Sequence, residues 1–220
     1  MKKIEIMPSY IYEFDMPKDL TYQGLKIAKE INYKPTPSRP NQSSIEMDID
    51  KYLPESSKII MDKMYEVSKE HSFSIEELKI VNAHANKTDH MQFHTPHDHA
   101  NTVFSSIWYL NDCDCETYFY RLNDWMDQWV NIYPLRIKGG SMGGSWVFRY
   151  LDWYDVEGNH LVEKFKPFII HKRKSIAGKL IIFPAKMLHL TNKNKSLHTR
   201  YTFTFNVFPT KFGQSTITVK

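Results

Sequence analysis

Histidine is unevenly spread along this chain. Of its ten histidines, six fall between His71 and His99, and four of those lie between His90 and His99. Imidazole titrates near neutrality and is the commonest metal-ligating side chain, so the cluster points first to metal chemistry. Its centre is His94-Thr95-Pro96-His97-Asp98-His99. On an extended strand side chains alternate faces, which would turn His97 and His99 one way and Asp98 the other. A third ligand must then come from a distant strand lying alongside. His189, just past the apolar run that ends Phe183-Pro184, is the candidate. Imidazole suits iron(II), zinc, copper and nickel alike, so ligand type does not choose the metal. The same pair also fits a polar turn with solvated histidines. His94 is a substitute ligand, disfavoured by Pro96 and by its opposite parity. His84, His90, His160, His171 and His198 have no placed partner.

Eleven residues after His189 comes Arg200, opening Arg200-Tyr201-Thr202-Phe203-Thr204-Phe205-Asn206. Strand alternation would put Arg200, Thr202, Thr204 and Asn206 on one face and the three aromatic residues on the other. Arginine is almost never fully buried without a partner. Its planar fork matches a carboxylate bidentately, and the hydroxyls of Thr202 and Thr204 would complete the remaining bonds. Two readings stand: a bound carboxylate, or a structural ion pair with one of the chain's own acids.

These groups need a scaffold. The 220 residues, 41% hydrophobic and 14% aromatic, suffice for one sizeable core and are too few for two full domains. Residues 10–14 read as an edge strand, 20–31 as a helix, and 35–41, with three prolines, as a loop. A second helix follows to about Lys69, with Ser56 or Ser57 as its cap. From residue 78 the pattern shortens to strand-like runs at 78–85, 102–110, 116–121, 146–153, 165–170, 179–183 and 201–208. The expected class is α+β, mainly β: a sandwich or barrel buttressed by N-terminal helices. Residues 1–75 supply helical support, and 78–122 and 175–210 supply core strands. Residues 123–170, with four of the five tryptophans, form an insertion that is either a peripheral hairpin layer or a lid.

The net charge of +4 is mild, and the run His171-Lys172-Arg173-Lys174 reads as a solvated loop, so no nucleic-acid partner is called for. The only cysteines, Cys113 and Cys115, are too close for an unstrained bridge and too few for a zinc cluster. No run approaches the ~20 apolar residues that span a bilayer. These features lead to the expectation of a soluble, cytoplasmic protein in a reducing compartment. The excess of lysine over arginine suggests a bacterial or phage source.

Four segments, in order, resemble the iron(II)/2-oxoglutarate-dependent oxygenases, especially the prolyl-hydroxylase-like branch. After the histidine pair, Ser105-Ser106-Ile107-Trp108-Tyr109-Leu110-Asn111 is similar to that branch's next strand. Cys115-Glu116-Thr117-Tyr118-Phe119 is similar to its Gly-Glu-Thr-x-Phe strand. Residues 177–184 resemble the strand that delivers the distal histidine, and Arg200 with Thr204 resembles the pair that holds the co-substrate's far carboxylate. The resemblance implies a double-stranded β-helix (jelly-roll, cupin-like) core and iron(II) on His97, His99 and His189. It implies 2-oxoglutarate held by Tyr109, Arg200, Thr202 and Thr204, with ascorbate as an optional reductant. It also implies hydroxylation of a small molecule or peptide side chain with release of succinate and carbon dioxide. The family's usual set is two histidines and one carboxylate in a His-x-Asp motif. Here His99 takes the aspartate's place, and Asp112 or Asp114 is an alternative oxygen donor. A cupin-like three-histidine dioxygenase without 2-oxoglutarate and a non-catalytic β-rich binding module are the rival readings.

Overall fold

Alternating apolar residues in the second half of the chain fold into two facing antiparallel sheets. The computed structural model describes residues 10–36, 39–44, 47–70, 75–99, 102–120, 169–212 and 215–216. The large sheet runs β1 (Tyr12–Asp15), β9 (Lys179–Pro184), β6 (Phe104–Tyr109), β11 (Arg200–Phe212), β4 (Ile75–Thr88), β3 (Arg39–Ser44) and β2 (Tyr33–Thr36), with β12 (Ser215–Thr216) folded back on β11. The small sheet runs β5 (His94–His97), β10 (His189–Thr191), β7 (Cys113–Tyr120) and β8 (Ile169–Ser175). From β4 onward the chain steps β4 large, β5 small, β6 large, β7 and β8 small, β9 large, β10 small, β11 large. This crossing between sheets is the jelly-roll winding expected from the sequence.

The large sheet has two differently built faces. Phe104, Trp108, Leu180, Ile182, Phe203 and Phe205 belong to one apolar cluster with residues of the helices. The helices are α1 (Lys18–Glu30), α2 (Ile49–Tyr52) and α3 (Pro54–Glu70). Helix α1 buries Leu20, Gly24 and Ala28, spaced by four, and α3 buries Ile60, Met64 and Val67. Gly24 is where α1 comes closest: a Cβ there would lie 3.1 Å from both Leu110 Cδ2 and Trp108 Cη2. The residues between, Ile107, Tyr109, Ile181 and Phe183, face the small sheet and pack with Phe119 and Met187.

Some sequence expectations change. Residues 35–36 and 39–41 of the expected loop are instead paired strand, in β2 and β3, while 37–38 lie outside the described residues; β2 ends the large sheet among the described residues, where Pro35 is tolerated because an edge strand leaves one side unpaired. Ser56 and Ser57 do not cap α3, which starts at Pro54; they are buried in its first turn, and Ser57 donates to Asp50. Proline at the first helical position loses no hydrogen bond. The run His171–Lys174 is not a solvated loop but lies in β8, the last strand of the small sheet among the described residues. Its charges still meet partners: Lys172 Nζ lies 4.8 Å above the Tyr118 ring, Arg173 donates to Glu13 at 2.8 Å, and Lys174 to Asp114 at 3.1 Å. The expected strand at 146–153 and most of the 123–170 insertion lie outside the described residues. Among those described, no helix is long and apolar enough to cross a membrane.

Candidate metal centre

Antiparallel pairing of β10 with β5 puts His189 directly opposite His97. Strand β5 ends at His97, so His99 lies beyond it rather than on it as the alternation argument required. It is brought in by another route: its backbone N–H donates to the Ala185 carbonyl at 2.9 Å, just past β9. The result matches the expected triad. One ring nitrogen from each of His97, His99 and His189 lies within 4.8 Å of the others, and the Nε2 atoms of His99 and His189 are 3.4 Å apart. Two imidazoles on one ion at about 2.1 Å would have their nitrogens roughly 3.0–3.4 Å apart. His189 Nδ1 is 3.0 Å from the Met187 carbonyl, which fixes Nδ1–H as donor and turns the Nε2 lone pair inward. Phe183 meets the His189 ring edge-on at 4.7 Å, and Phe119 stacks on it at 6.1 Å. His97 and His189 are buried while His99 is half-buried, so the triad is open on one side. Three neutral nitrogen donors fit a divalent first-row metal.

The alternatives are engaged elsewhere. Asp98 points off, as expected, to Lys186 at 3.2 Å. Asp112 accepts the Ala177 N–H at 2.8 Å, and Asp114 pairs with Lys174, so neither joins the triad. The His94 ring packs on His97 at 4.1 Å but stays outside the converging set. His90 contacts the Ser196 carbonyl, and His171 and His198 are exposed. His71 and His160 lie outside the described residues.

Arg200, the first residue of β11, is 3% exposed. Its Nη2 donates to Thr117 Oγ1 at 2.9 Å, the Tyr109 hydroxyl donates to the same oxygen at 2.9 Å, and its Cζ sits 5.2 Å from the Tyr109 ring centre. Among the described residues no carboxylate pairs with Arg200, and its buried Nε has no hydrogen-bond partner. A buried guanidinium with a spare donor is costly unless an anion arrives. Burial pushes the Tyr109 phenol up, opposed by the Arg200 charge and the bond to Thr117, so the phenol stays protonated and a donor. Burial likewise pushes the Cys115 thiol up to about 12, with Arg200 pulling the other way, so Cys115 is inert as a thiolate at neutral pH.

Thr202 and Thr204 share the interior face with Arg200, since they register with Tyr109 and Ile107 of β6. The Thr204 hydroxyl accepts from Asn86 Nδ2 at 3.2 Å and donates to the His84 carbonyl at 3.4 Å. The hydroxyl that touches Arg200 is Thr117, from the opposite sheet. Sequence reasoning quoted Thr117 in its motif without giving it a role. Its signal was period two in the first half of β7, where Cys113, Cys115 and Thr117 are buried while Asp114 is exposed and Glu116 half-buried; beyond Thr117 every position of the strand is buried.

No protein-family model matches the sequence, and no curated protein does. Solved structures match over most of their length. A prolyl-4-hydroxylase from Pseudomonas putida is 12% identical, with a TM-score of 0.56, covering 89% of this chain and 91% of its own. HygX from Streptomyces hygroscopicus, solved with nickel and 2-oxoglutarate, is 9% identical with a TM-score of 0.61, covering 92% and 84%. A viral collagen prolyl hydroxylase from Paramecium bursaria Chlorella virus-1, in a 2-oxoglutarate complex, is 13% identical with a TM-score of 0.54, covering 90% and 95%. The fold is that of the iron(II)/2-oxoglutarate oxygenases. Within it the interior between the sheets holds both the histidine triad and Arg200, the two features the sequence singled out.

Proposed function

We propose that this protein is an iron(II)- and 2-oxoglutarate-dependent oxygenase that hydroxylates a small molecule or peptide side chain, releasing succinate and carbon dioxide. The observation that carries the reading is Arg200: a buried cation on the same interior as three converging imidazoles, with a donor left over and no acid of the described chain beside it. A three-histidine dioxygenase that dispenses with 2-oxoglutarate has no use for such a group.

Iron(II) held by His97, His99 and His189 would supply dioxygen activation at the expense of 2-oxoglutarate. The chain's own part is binding, orientation and charge. The Met187 carbonyl holds the His189 tautomer. Arg200 would offer Nε and its remaining hydrogens to the distal carboxylate of the co-substrate, and the Tyr109 hydroxyl shares with the guanidinium the Thr117 hydroxyl oxygen as acceptor. Because three neutral imidazoles add no negative charge, an iron(II) ion held there would keep its full charge, and a dianionic co-substrate would be the natural balance for it. Phe119 and Phe183 wall one side of His189 against water.

The test is whether succinate accumulates when iron(II), ascorbate and 2-oxoglutarate are supplied together, and whether Arg200→Ala keeps iron but weakens 2-oxoglutarate. A charge-assisted contact of roughly 1.5–3 kcal/mol corresponds to about 10- to 150-fold in affinity. Unchanged 2-oxoglutarate affinity in that variant would remove Arg200 from the site and leave the cupin-like reading standing.

A further inference from the structure

Strand β11 acts as a ruler along the interior. Arg200 stands at one end, and Asn206, on the same face, stands six residues away, about 20 Å along a strand rising ~3.4 Å per residue. The row through Asn206 crosses four strands in direct register: Asn82 of β4, Asn206 of β11, Ser105 of β6 and Phe183 of β9. Phe183 is the residue whose ring touches His189. The Asn206 row therefore meets the metal ligands at its Phe183 end, and on β11 it stands six residues from the backbone of Arg200.

This row is polar and incompletely satisfied. Ser105 is 1% exposed and Asn206 is 4% exposed. Among the described residues, Ser105 Oγ and Asn206 Oδ1 have no hydrogen-bond partner; Asn206 spends its amide nitrogen on Asn82 Oδ1 at 2.5 Å. Buried polar atoms left unpaired are costly in the free protein, which makes them the mark of a group awaiting a ligand. We infer that Asn206 and Ser105, braced by Asn82, form a recognition subsite for the primary substrate, and that this substrate is an uncharged molecule presenting a hydroxyl or carboxamide. The inference rests on the oxygenase reading above.

The chemistry of the row selects that class. A serine hydroxyl both donates and accepts. The coupled Asn82–Asn206 carboxamides present either an oxygen or an NH2 group inward, depending on which way the pair is turned. Their common complement is a group that also does both. A substrate carboxylate would want a cation here, and a substrate ammonium an anion; among the described residues the row holds neither. An aliphatic substrate would leave both polar atoms stranded.

Asn206→Leu and Ser105→Ala test this in two ways. In the ligand-free protein Ser105→Ala only removes an unpaired buried atom, so its melting temperature is expected to hold or rise, whereas Asn206→Leu also loses the bond to Asn82 and is expected to fall modestly; a fall in Ser105→Ala would mean a structural role and overturn the subsite. Iron(II)-loaded protein with 2-oxoglutarate is then offered a panel of neutral cyclitols, sugars and peptide amides beside aliphatic amines, carboxylates and alkanols lacking a second polar group, reading succinate release above the substrate-free rate. Stimulation is expected from the neutral polyfunctional group, with KM for the best of them rising about 2- to 12-fold in each variant. Titration of the visible charge-transfer band of iron(II) with 2-oxoglutarate is expected to match wild type. Stimulation confined to charged compounds, none from the neutral group, or unchanged KM in both variants overturns the inference alone. Failure of the band to form in wild type brings down the oxygenase reading, and the subsite with it.

Discussion

On the helix-covered face of the large sheet, nineteen buried apolar side chains join one cluster among the described residues; on the face turned to the small sheet, six do. The inner face also carries Arg200, Thr202, Thr204, Asn206 and Ser105, residues that contribute little burial energy and in three cases (Arg200, Asn206 and Ser105) leave polar atoms unpaired. Fully burying an apolar side chain is worth about 1.5–3 kcal/mol. Stability is thus concentrated on one face, and the other is free to carry costly groups. If that division is real, substitutions on the two faces should have opposite signatures.

The largest effect is expected from His189→Ala. It removes one of three ligands and should abolish iron retention, measured as metal content after desalting. It should also remove the iron-dependent rise in melting temperature, which for saturation at 100 times Kd is about 2.7 kcal/mol of stabilisation. The metal-free protein should melt close to wild type, because His189 lies outside the large apolar cluster on the helix-covered face. A large drop in metal-free stability would break the comparison, since His189 would then be part of the core.

Phe203→Ala should do the reverse. Its ring is 1% exposed, lies 5.8 Å from Trp108 and meets the space above Gly24. Truncating a buried phenylalanine costs about 3–5 kcal/mol. Denaturant unfolding should show that loss, while iron stoichiometry and 2-oxoglutarate affinity, measured well below the transition, stay at wild-type values. Reduced co-substrate affinity would mean that the helix face also positions Arg200.

The division between the faces explains what was legible in the sequence. Period-two alternation in residues 102–110 and 201–208 already separated Phe203 and Phe205 from Arg200 and Thr204, and the register confirms that separation. The triad was readable because His97 and His99 are neighbours and His189 follows an apolar strand. The bend after β5 was not readable, since His99 reaches its place through a backbone bond to Ala185, a contact 86 positions away that no local pattern encodes. Thr117 was overlooked for a related reason: its role depends on which strand faces Arg200 across the interior. The strand pairing at 35–36 and 39–41 was missed because proline content speaks against helix and central strand but is silent about edges.

The smallest expected effect sharpens the comparison within the inner face itself. Arg200 and Tyr109 both donate to Thr117 Oγ1 at 2.9 Å, so they look equivalent in the free protein. They differ in charge: one is a buried cation with no acid beside it among the described residues, the other a phenol that burial keeps neutral. Tyr109→Phe deletes one neutral hydrogen bond, worth about 0.5–1.5 kcal/mol, so 2-oxoglutarate affinity should fall only about 2- to 12-fold with iron binding unchanged. The loss should therefore be smaller than for Arg200→Ala in the same titration. Equal losses would mean that the phenol, rather than the guanidinium, sets the orientation of the carboxylate, and that the positive charge serves mainly to hold Thr117 in place.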